Sequence, residues 1–247
     1  MNLLTLEAQE IGALLSPGDR RALHISRVLG KGPGDCVAAG ILTTDPFGPA
    51  PGSLGRATVR KLDAQGLVLD YEALGEAPPL WPLRLLLGFP RPIQGARLLR
   101  DLASLGVGEI VLTGTMLGER SYLESDLWKK GGYLAALREG AEQAGNPRVP
   151  RASREWSVAR ALAALGRQEG EGRFVLHPGE GFPRLGATSL LAPLSLAIGS
   201  ERGWSPEELC QLETAGFVQL SLGSRILKTE TASVAAVALA LGRMGYL

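Results

Sequence analysis

Three short segments in the carboxyl-terminal third place glycine beside polar side chains directly after apolar runs. They are Leu176-His177-Pro178-Gly179-Glu180-Gly181, Ile198-Gly199-Ser200-Glu201-Arg202-Gly203-Trp204 and Leu222-Gly223-Ser224-Arg225-Ile226-Leu227-Lys228. Glycine lets a backbone approach a ligand closely, and amides and carbonyls at a strand's carboxyl end can grip a polar group. One such loop is an ordinary turn; three, spaced as successive strands of one sheet, point to a site. None ends in the Lys-Ser/Thr pair of a phosphate loop, and Gly179 with Gly181 lacks the third glycine of the dinucleotide fingerprint, so ATP and NAD are unsupported. The last loop carries two cations, Arg225 and Lys228, and runs into Thr229-Glu230-Thr231. There a hydroxyl of Thr229 or Thr231 is expected to cap a helix, with Glu230 in its electropositive first turn.

Other polar groups promise less. His24 and His177 sit in no recognisable nucleophilic triad, and His177 before Pro178 reads equally as a turn residue or a cofactor-loop residue. Cys36 and Cys210 are the only cysteines and lie in unrelated contexts, which fits a reducing compartment with neither disulfide nor thiolate metal cage; no metal is expected. Glu139, Glu142 and Gln143 read as a solvated helix face rather than a binding site. Ser205-Pro206-Glu207-Glu208 has the form of a capped helix start, with Ser205 as N-cap, Pro206 at the first helical position and Glu208 closing a capping box.

The elements that must hold these loops follow from periodicity. Beyond residue 83 short apolar strands alternate with amphipathic helices, as in a mostly parallel sheet covered by helices, an α/β fold. Strands are predicted at Arg84–Phe89, Glu109–Thr113, Arg173–Leu176, Leu194–Ile198 and Val218–Leu222. Helices are predicted at Gln94–Leu105, Lys129–Ala144, Val158–Leu165, Glu207–Ala215 and Thr231–Leu241, the last apolar nearly all round and so suited to a core or an interface. Ahead of this region, candidate strands at Asp35–Ile41, Gly55–Lys61 and Gly66–Tyr71, with turns at Lys31–Asp35 and Asp45–Gly52, suggest a small β-barrel over residues 1–74. The proline-rich stretch 75–82 reads as a linker, which leaves 83–247 as a second domain.

The chain has 247 residues and a net charge of +1, so a nucleic-acid partner must be held by a local basic surface. Residues 1–75 hold seven Lys/Arg against eight Asp/Glu, and Arg84–Arg173 fourteen against ten. Arg20, Arg21 and Arg27 flank His24 as an RNA-contacting edge or, with equal weight, as solvated surface. Met1-Asn2-Leu3-Leu4 opens no secretory leader and no apolar run reaches the length of a membrane span, so a cytoplasmic protein is expected.

Several of these segments together carry a resemblance. Glu142-Gln143-Ala144-Gly145-Asn146-Pro147-Arg148-Val149-Pro150, Ile198 to Glu208 and Val218 to Ala232, with Leu105-Gly106-Val107-Gly108-Glu109-Ile110 and His24 to Asp35, are similar in order to the ribosomal small-subunit methyltransferase E family of the SPOUT superfamily. The resemblance implies a PUA-like β-barrel for RNA binding followed by a trefoil-knotted α/β methyltransferase domain, a homodimer, and S-adenosylmethionine as cofactor. The implied reaction is methylation of N3 of a uridine in 16S rRNA near the decoding centre, on free rRNA or the small ribosomal subunit. It further implies a cofactor site from Leu176, His177, Gly179, Ile198, Gly199, Glu201, Leu220, Leu222, Gly223, Ile226, Leu227 and Thr231. Catalytic candidates are Arg225, Lys228 and Glu201, and RNA-binding candidates are Arg21, Arg27, Lys31 and Arg148. The sequence departs from the family pattern at Ser200-Glu201-Arg202-Gly203, where Pro-Glu-Gly-Gly is usual, at Lys228 and Gly30, where arginine is usual, and at Leu102 to Val107, which lacks an acid. Lysine for arginine keeps the charge but loses the bidentate fork. Alternative readings are a SPOUT methyltransferase acting on another RNA or on a ribose hydroxyl, and a non-catalytic RNA-binding protein of this fold.

Overall fold

A computed structural model describes residues 2–43, 52–179 and 181–247. The chain forms two compact units, Met1–Pro79 with Ala141–Val149, and Leu80–Gly140 with Pro150–Leu247. Most of the turn expected at Asp45–Gly52 lies outside the described residues.

The first unit is built on β1 (Leu4–Leu6), β2 (Leu14–Leu15), α1 (Arg20–Leu23), β3 (Cys36–Ile41), β4 (Ser53–Asp63) and β5 (Gly66–Glu76). The strands form one sheet in the order β1-β3-β4-β5-β2, antiparallel except where β1 runs parallel to β3. In β4, Ala57 and Val59 face the core while Arg56 and Arg60 face out, the alternation that made the strand legible. β1 and β2, of three and two residues, add to the expected strands and are too short to show a period in the sequence. β5 is longer than expected and takes in Gly75 and Glu76, the start of the expected linker. The solvated reading of Glu142 needs correction: its carboxylate is 1% exposed and accepts bonds of 2.6 Å from both Thr5 Oγ1 and Arg20 Nη2. A carboxylate this deep is tolerable because both oxygens are occupied.

The second unit contains β6 (Trp81–Gly88), α2 (Pro92–Ser104), β7 (Val107–Thr113), α3 (Asp126–Lys129), α4 (Gly132–Ala144), β8 (Arg151–Glu155), α5 (Val158–Leu165), β9 (Gly172–Leu176), β10 (Leu194–Ile198), α6 (Pro206–Thr214), β11 (Val218–Leu220) and α7 (Thr229–Arg243). Six parallel strands stand in the order β11-β9-β10-β6-β7-β8. Central β6 is buried from Leu83 to Gly88, as a strand covered on both faces must be. Leu86, Val111, Val175 and Ala197 pack against Val158, Ala161, Leu165 and Leu212 of α5 and α6 on one face, while α2 and α7 pack together on the other. Strand β8 carries no strand signal in the sequence, because Arg-Ala-Ser-Arg-Glu at a sheet edge has no apolar alternation. The single helix expected over Lys129–Ala144 is broken: Gly131 adopts φ +72°, a conformation that ends α3 and lets α4 start afresh. The capping box at α6 is present, Ser205 Oγ accepting from Glu208 N at 3.2 Å and Glu208 Oε2 from Ser205 N at 2.9 Å.

Arg84 and Arg173, which bound the stretch with the local excess of cations, are buried inside this unit. Both bind Glu171, Arg84 through Oε1 and Arg173 through Oε2, and Oε1 also accepts from the Ser195 hydroxyl. No helix among the described residues is long and apolar enough to cross a membrane.

Candidate active site

Strands β11, β9 and β10 are neighbours and parallel, so the loops leaving their carboxyl ends emerge side by side. These loops and the first turn of α7 enclose a cavity of about 300 Å³, within the size range of small-ligand sites. The sequence-predicted residues Leu176, His177, Ile198, Gly199, Glu201, Leu222, Gly223, Arg225, Ile226 and Leu227 all line it.

The backbone explains the glycines. The loop after β10 doubles back on itself, with Gly203 N donating to Ser200 O at 2.9 Å. A side chain at Gly199 would place its Cβ 2.8 Å from the Gly203 carbonyl carbon, and Gly203 itself has φ +77°. Gly88 at the end of β6 faces the same loop, and any side chain there would overlap the Ser200 backbone. Gly223 has φ +122°, a conformation L side chains rarely adopt, and it turns the chain from Ser221 into the cavity wall.

The first turn of α7 corrects two expectations. Neither threonine caps the helix: Lys228 is the N-cap and makes no side-chain capping bond. The Thr229 hydroxyl instead donates to the Gly199 carbonyl at 3.4 Å, tying α7 to the loop after β10. Thr231 is exposed and off the wall, because residues three apart share a helix face and Thr229 and Ala232 are the pair turned inward. Leu220 is buried in the core, where its carbonyl accepts from His177 N at 3.0 Å, and Gly179 lies exposed beyond the wall residue Pro178. Lys228 is exposed and does not line the cavity. Pro178, Ser200, Arg202, Gly203, Trp204, Thr229 and Ala232 complete the wall; the helical spacing of Thr229 and Ala232 was the available signal for those two.

Two polar atoms of the wall residues are buried and unpartnered among the described residues: His177 Nδ1 and Trp204 Nε1. Buried nitrogens are normally bonded, so both suit a ligand with polar groups of its own. Glu201 Oε1 lies 3.4 Å from Arg91 Nε, a largely solvated pair. Arg225 is exposed at the rim and makes no ion pair among the described residues.

The basic residues expected to touch RNA fare unevenly. Arg21 is 7% exposed and held by Glu10 and Asp19, with Nη1 2.6 Å from Glu10 Oε2 and Nη2 2.8 Å from Asp19 Oδ2. Burial works against its charge, but the bonds from Glu10 and Asp19 outweigh it and hold the guanidinium above its ordinary pKa. Arg148 is also buried and donates to the Ala77 carbonyl at 3.1 Å. Both therefore serve the first unit's own structure. Lys31 is half-buried with its ammonium on the Cys36 carbonyl, and Arg27 is exposed.

A family model of an RNA methyltransferase domain matches residues 76–241. The ribosomal RNA small subunit methyltransferase E of Treponema pallidum (strain Nichols) is 38% identical over 98% of this chain and 91% of its own length. The chain belongs to the ribosomal RNA small-subunit methyltransferase E family. The family named from the loop motifs is thus the one found. The fold agrees: a probable rRNA-methyltransferase from Porphyromonas gingivalis superposes with a TM-score of 0.77 at 21% identity, covering 99% of each chain. A methyltransferase E from Neisseria gonorrhoeae, solved bound to S-adenosyl methionine, gives 0.75 at 20% identity over 99% of this chain and 98% of its own. Family membership and the α/β methyltransferase fold therefore rest on the whole length, not on the loops alone.

Proposed function

We propose that this chain binds S-adenosylmethionine in the cavity between the β9, β10 and β11 loops and methylates N3 of a uridine in 16S rRNA near the decoding centre. The observation that carries the reading is the cavity itself: three glycine loops at adjacent strand ends, with two unpartnered buried nitrogens, in a member of a methyltransferase family. S-adenosylmethionine supplies an electrophilic methyl group on a sulfonium. The loops would hold it: Leu176, Ile198, Leu222 and Leu227 offer apolar surface, while His177, Trp204 and the Gly199–Gly203 backbone would offer polar groups to a purine and an amino acid. Arg225 at the rim is placed to orient the uracil that would accept the methyl group. As the N3 proton leaves, negative charge develops on the uracil oxygens, which the Arg225 guanidinium stabilises. Glu201 is the candidate acceptor for that proton, directly or through water.

The same reading takes the second unit as a SPOUT domain with a trefoil knot. Ser221 N donates to Pro183 O and Leu185 N to Ser221 O, so the chain leaving β11 runs against the β9–β10 connection before Thr229 reaches Gly199 beyond β10. That path supports threading of the chain through the connection. It takes the first unit as a PUA-like barrel that contacts RNA through Arg27 and Lys31. The working assembly is a homodimer in the cytoplasm, with exposed Ile226 and Leu239 as apolar surface for a second copy.

Deletion of the gene is expected to remove one uridine methylation at the decoding centre, seen by mass spectrometry of the rRNA and restored by complementation; an unchanged modification would reject the substrate. Gly199→Ala adds a Cβ 2.8–2.9 Å from the Gly203 backbone, a clash worth about 1–3 kcal/mol in a packed site. Its S-adenosylmethionine affinity by calorimetry should fall about 5- to 100-fold, and wild-type affinity would show that the cofactor lies elsewhere.

A further inference from the structure

A second cleft opens beside the first in the same unit. Its volume is about 800 Å³, and Gly114, Thr115, Arg120, Trp156, Glu208 and Gln211 mark its walls. It lies over the carboxyl ends of β7 and β8, two to three strand spacings or ~10–14 Å along the sheet from β10. A small pocket lined by Ser200, Glu201 and Arg202, which also line the first cavity, and by Gly118, which also lines the second, joins the two. The Thr115 hydroxyl donates to Ser200 Oγ at 2.9 Å, so the loops after β7 and β10 are tied where the clefts meet.

The cleft is built, not left over. Gly114 N donates to Glu155 O at 2.9 Å, and a Cβ at Gly114 would stand 2.7 Å from the Trp156 carbonyl. That close approach fixes Trp156 on the cleft wall, 53% exposed. The Glu208 carboxylate is held by Ser205 N and by Met116 N at 2.8 Å, which sets one wall rigidly. The three cations of this track, Arg91, Arg120 and Arg202, face four carboxylates, Glu119, Glu124, Glu201 and Glu208. Such a mixture does not grip phosphates strongly; an aromatic face surrounded by donors and acceptors suits a flat, neutral ring with a hydrogen-bonding edge.

We infer that this cleft takes an unpaired base of the substrate RNA, a few nucleotides from the methylated uridine, stacked on Trp156. The inference rests on the rRNA methyltransferase reading above for its biological setting. The stack anchors the strand so that the target base reaches the first cavity.

Trp156→Ala is expected to raise the KM for small subunits from a deletion strain about 5- to 100-fold, the range of one base–aromatic stack. Its kcat and its S-adenosylmethionine affinity should stay within twofold of wild type, and Trp156→Phe should recover most of the loss. A KM within twofold of wild type for Trp156→Ala would overturn the inference. A second measurement needs no turnover: a mixed-sequence single-stranded RNA oligonucleotide should quench the tryptophan fluorescence of the wild-type chain, and quench it far less in Trp156→Phe. Equal quenching in both overturns the inference even if the enzyme is active. Quenching confined to wild type supports the cleft even if rRNA methylation is not found, so the two readings fail separately. Normal oligonucleotide binding by Trp156→Ala, with weakened binding to assembled subunits alone, would assign the tryptophan to a protein contact and likewise overturn it.

Discussion

Arg225→Ala should lower kcat for methyl transfer to small ribosomal subunits by about 10²- to 10³-fold, the effect of removing one preorganised donor from a developing anion. Arg225 lies on the cavity wall beside Ile226 and Leu227, is exposed, and makes no ion pair among the described residues, so its charge is not already spent on another carboxylate. Arg91, by contrast, already faces Glu201. Arg225→Lys should recover part of the rate, since the charge returns without the planar fork. Lys228→Ala should cost only a few-fold, because Lys228 is off the wall and stands at the N-cap of α7. Single-turnover transfer of a labelled methyl group separates these outcomes. Turnover within threefold of wild type in Arg225→Ala would reject the role, and a larger loss in Lys228→Ala than in Arg225→Ala would exchange the two.

What the sequence disclosed of this site depended on which physical signal each residue carries. Glycines at forced conformations, such as Gly223 and Gly203, advertise themselves because few other residues tolerate their φ angles. The Ser205–Glu208 capping box was legible for the same local reason. Strands β9 and β10 announced themselves by apolar runs, yet nothing local says that β11 adds outside β9, which is what brings the three loops together. The charged residues were least legible. Arg21, Arg84, Arg148 and Arg173 look alike in sequence, and only tertiary structure shows that all four are buried against carboxylates or carbonyls. Trp156 hid differently: it follows an edge strand with no period, and its exposure beside a cleft is a property of the folded chain.

The buried cluster around Glu171 yields the largest stability effect. Glu171 accepts from Arg84 Nε at 3.0 Å, Arg173 Nε at 2.8 Å and Ser195 Oγ at 2.5 Å, with its side chain fully buried. Glu109 Oε2 lies a further 3.5 Å from Arg84 Nη1 and cannot replace it. Glu171→Ala strands two buried guanidiniums and should destabilise the fold by about 3–5 kcal/mol. At about 2–4 °C per kcal/mol for a domain of this size, the melting temperature should drop by about 6–20 °C. Burial pushes the Glu171 carboxyl up, but the bonds from Ser195, Arg84 and Arg173 outweigh it and leave its pKa below the ordinary carboxylate value. The unfolded chain therefore takes up this proton first, so the contribution of Glu171 is complete above about pH 4.3, the unfolded value, and is lost as pH falls through the lower folded value. Denaturant melts across pH 7 to 3 should show wild-type stability falling on the acid side, with a shallower fall in Glu171→Ala. Parallel acid limbs, or a neutral-pH loss below about 1 kcal/mol, would mean that the cluster adds little beyond its own desolvation.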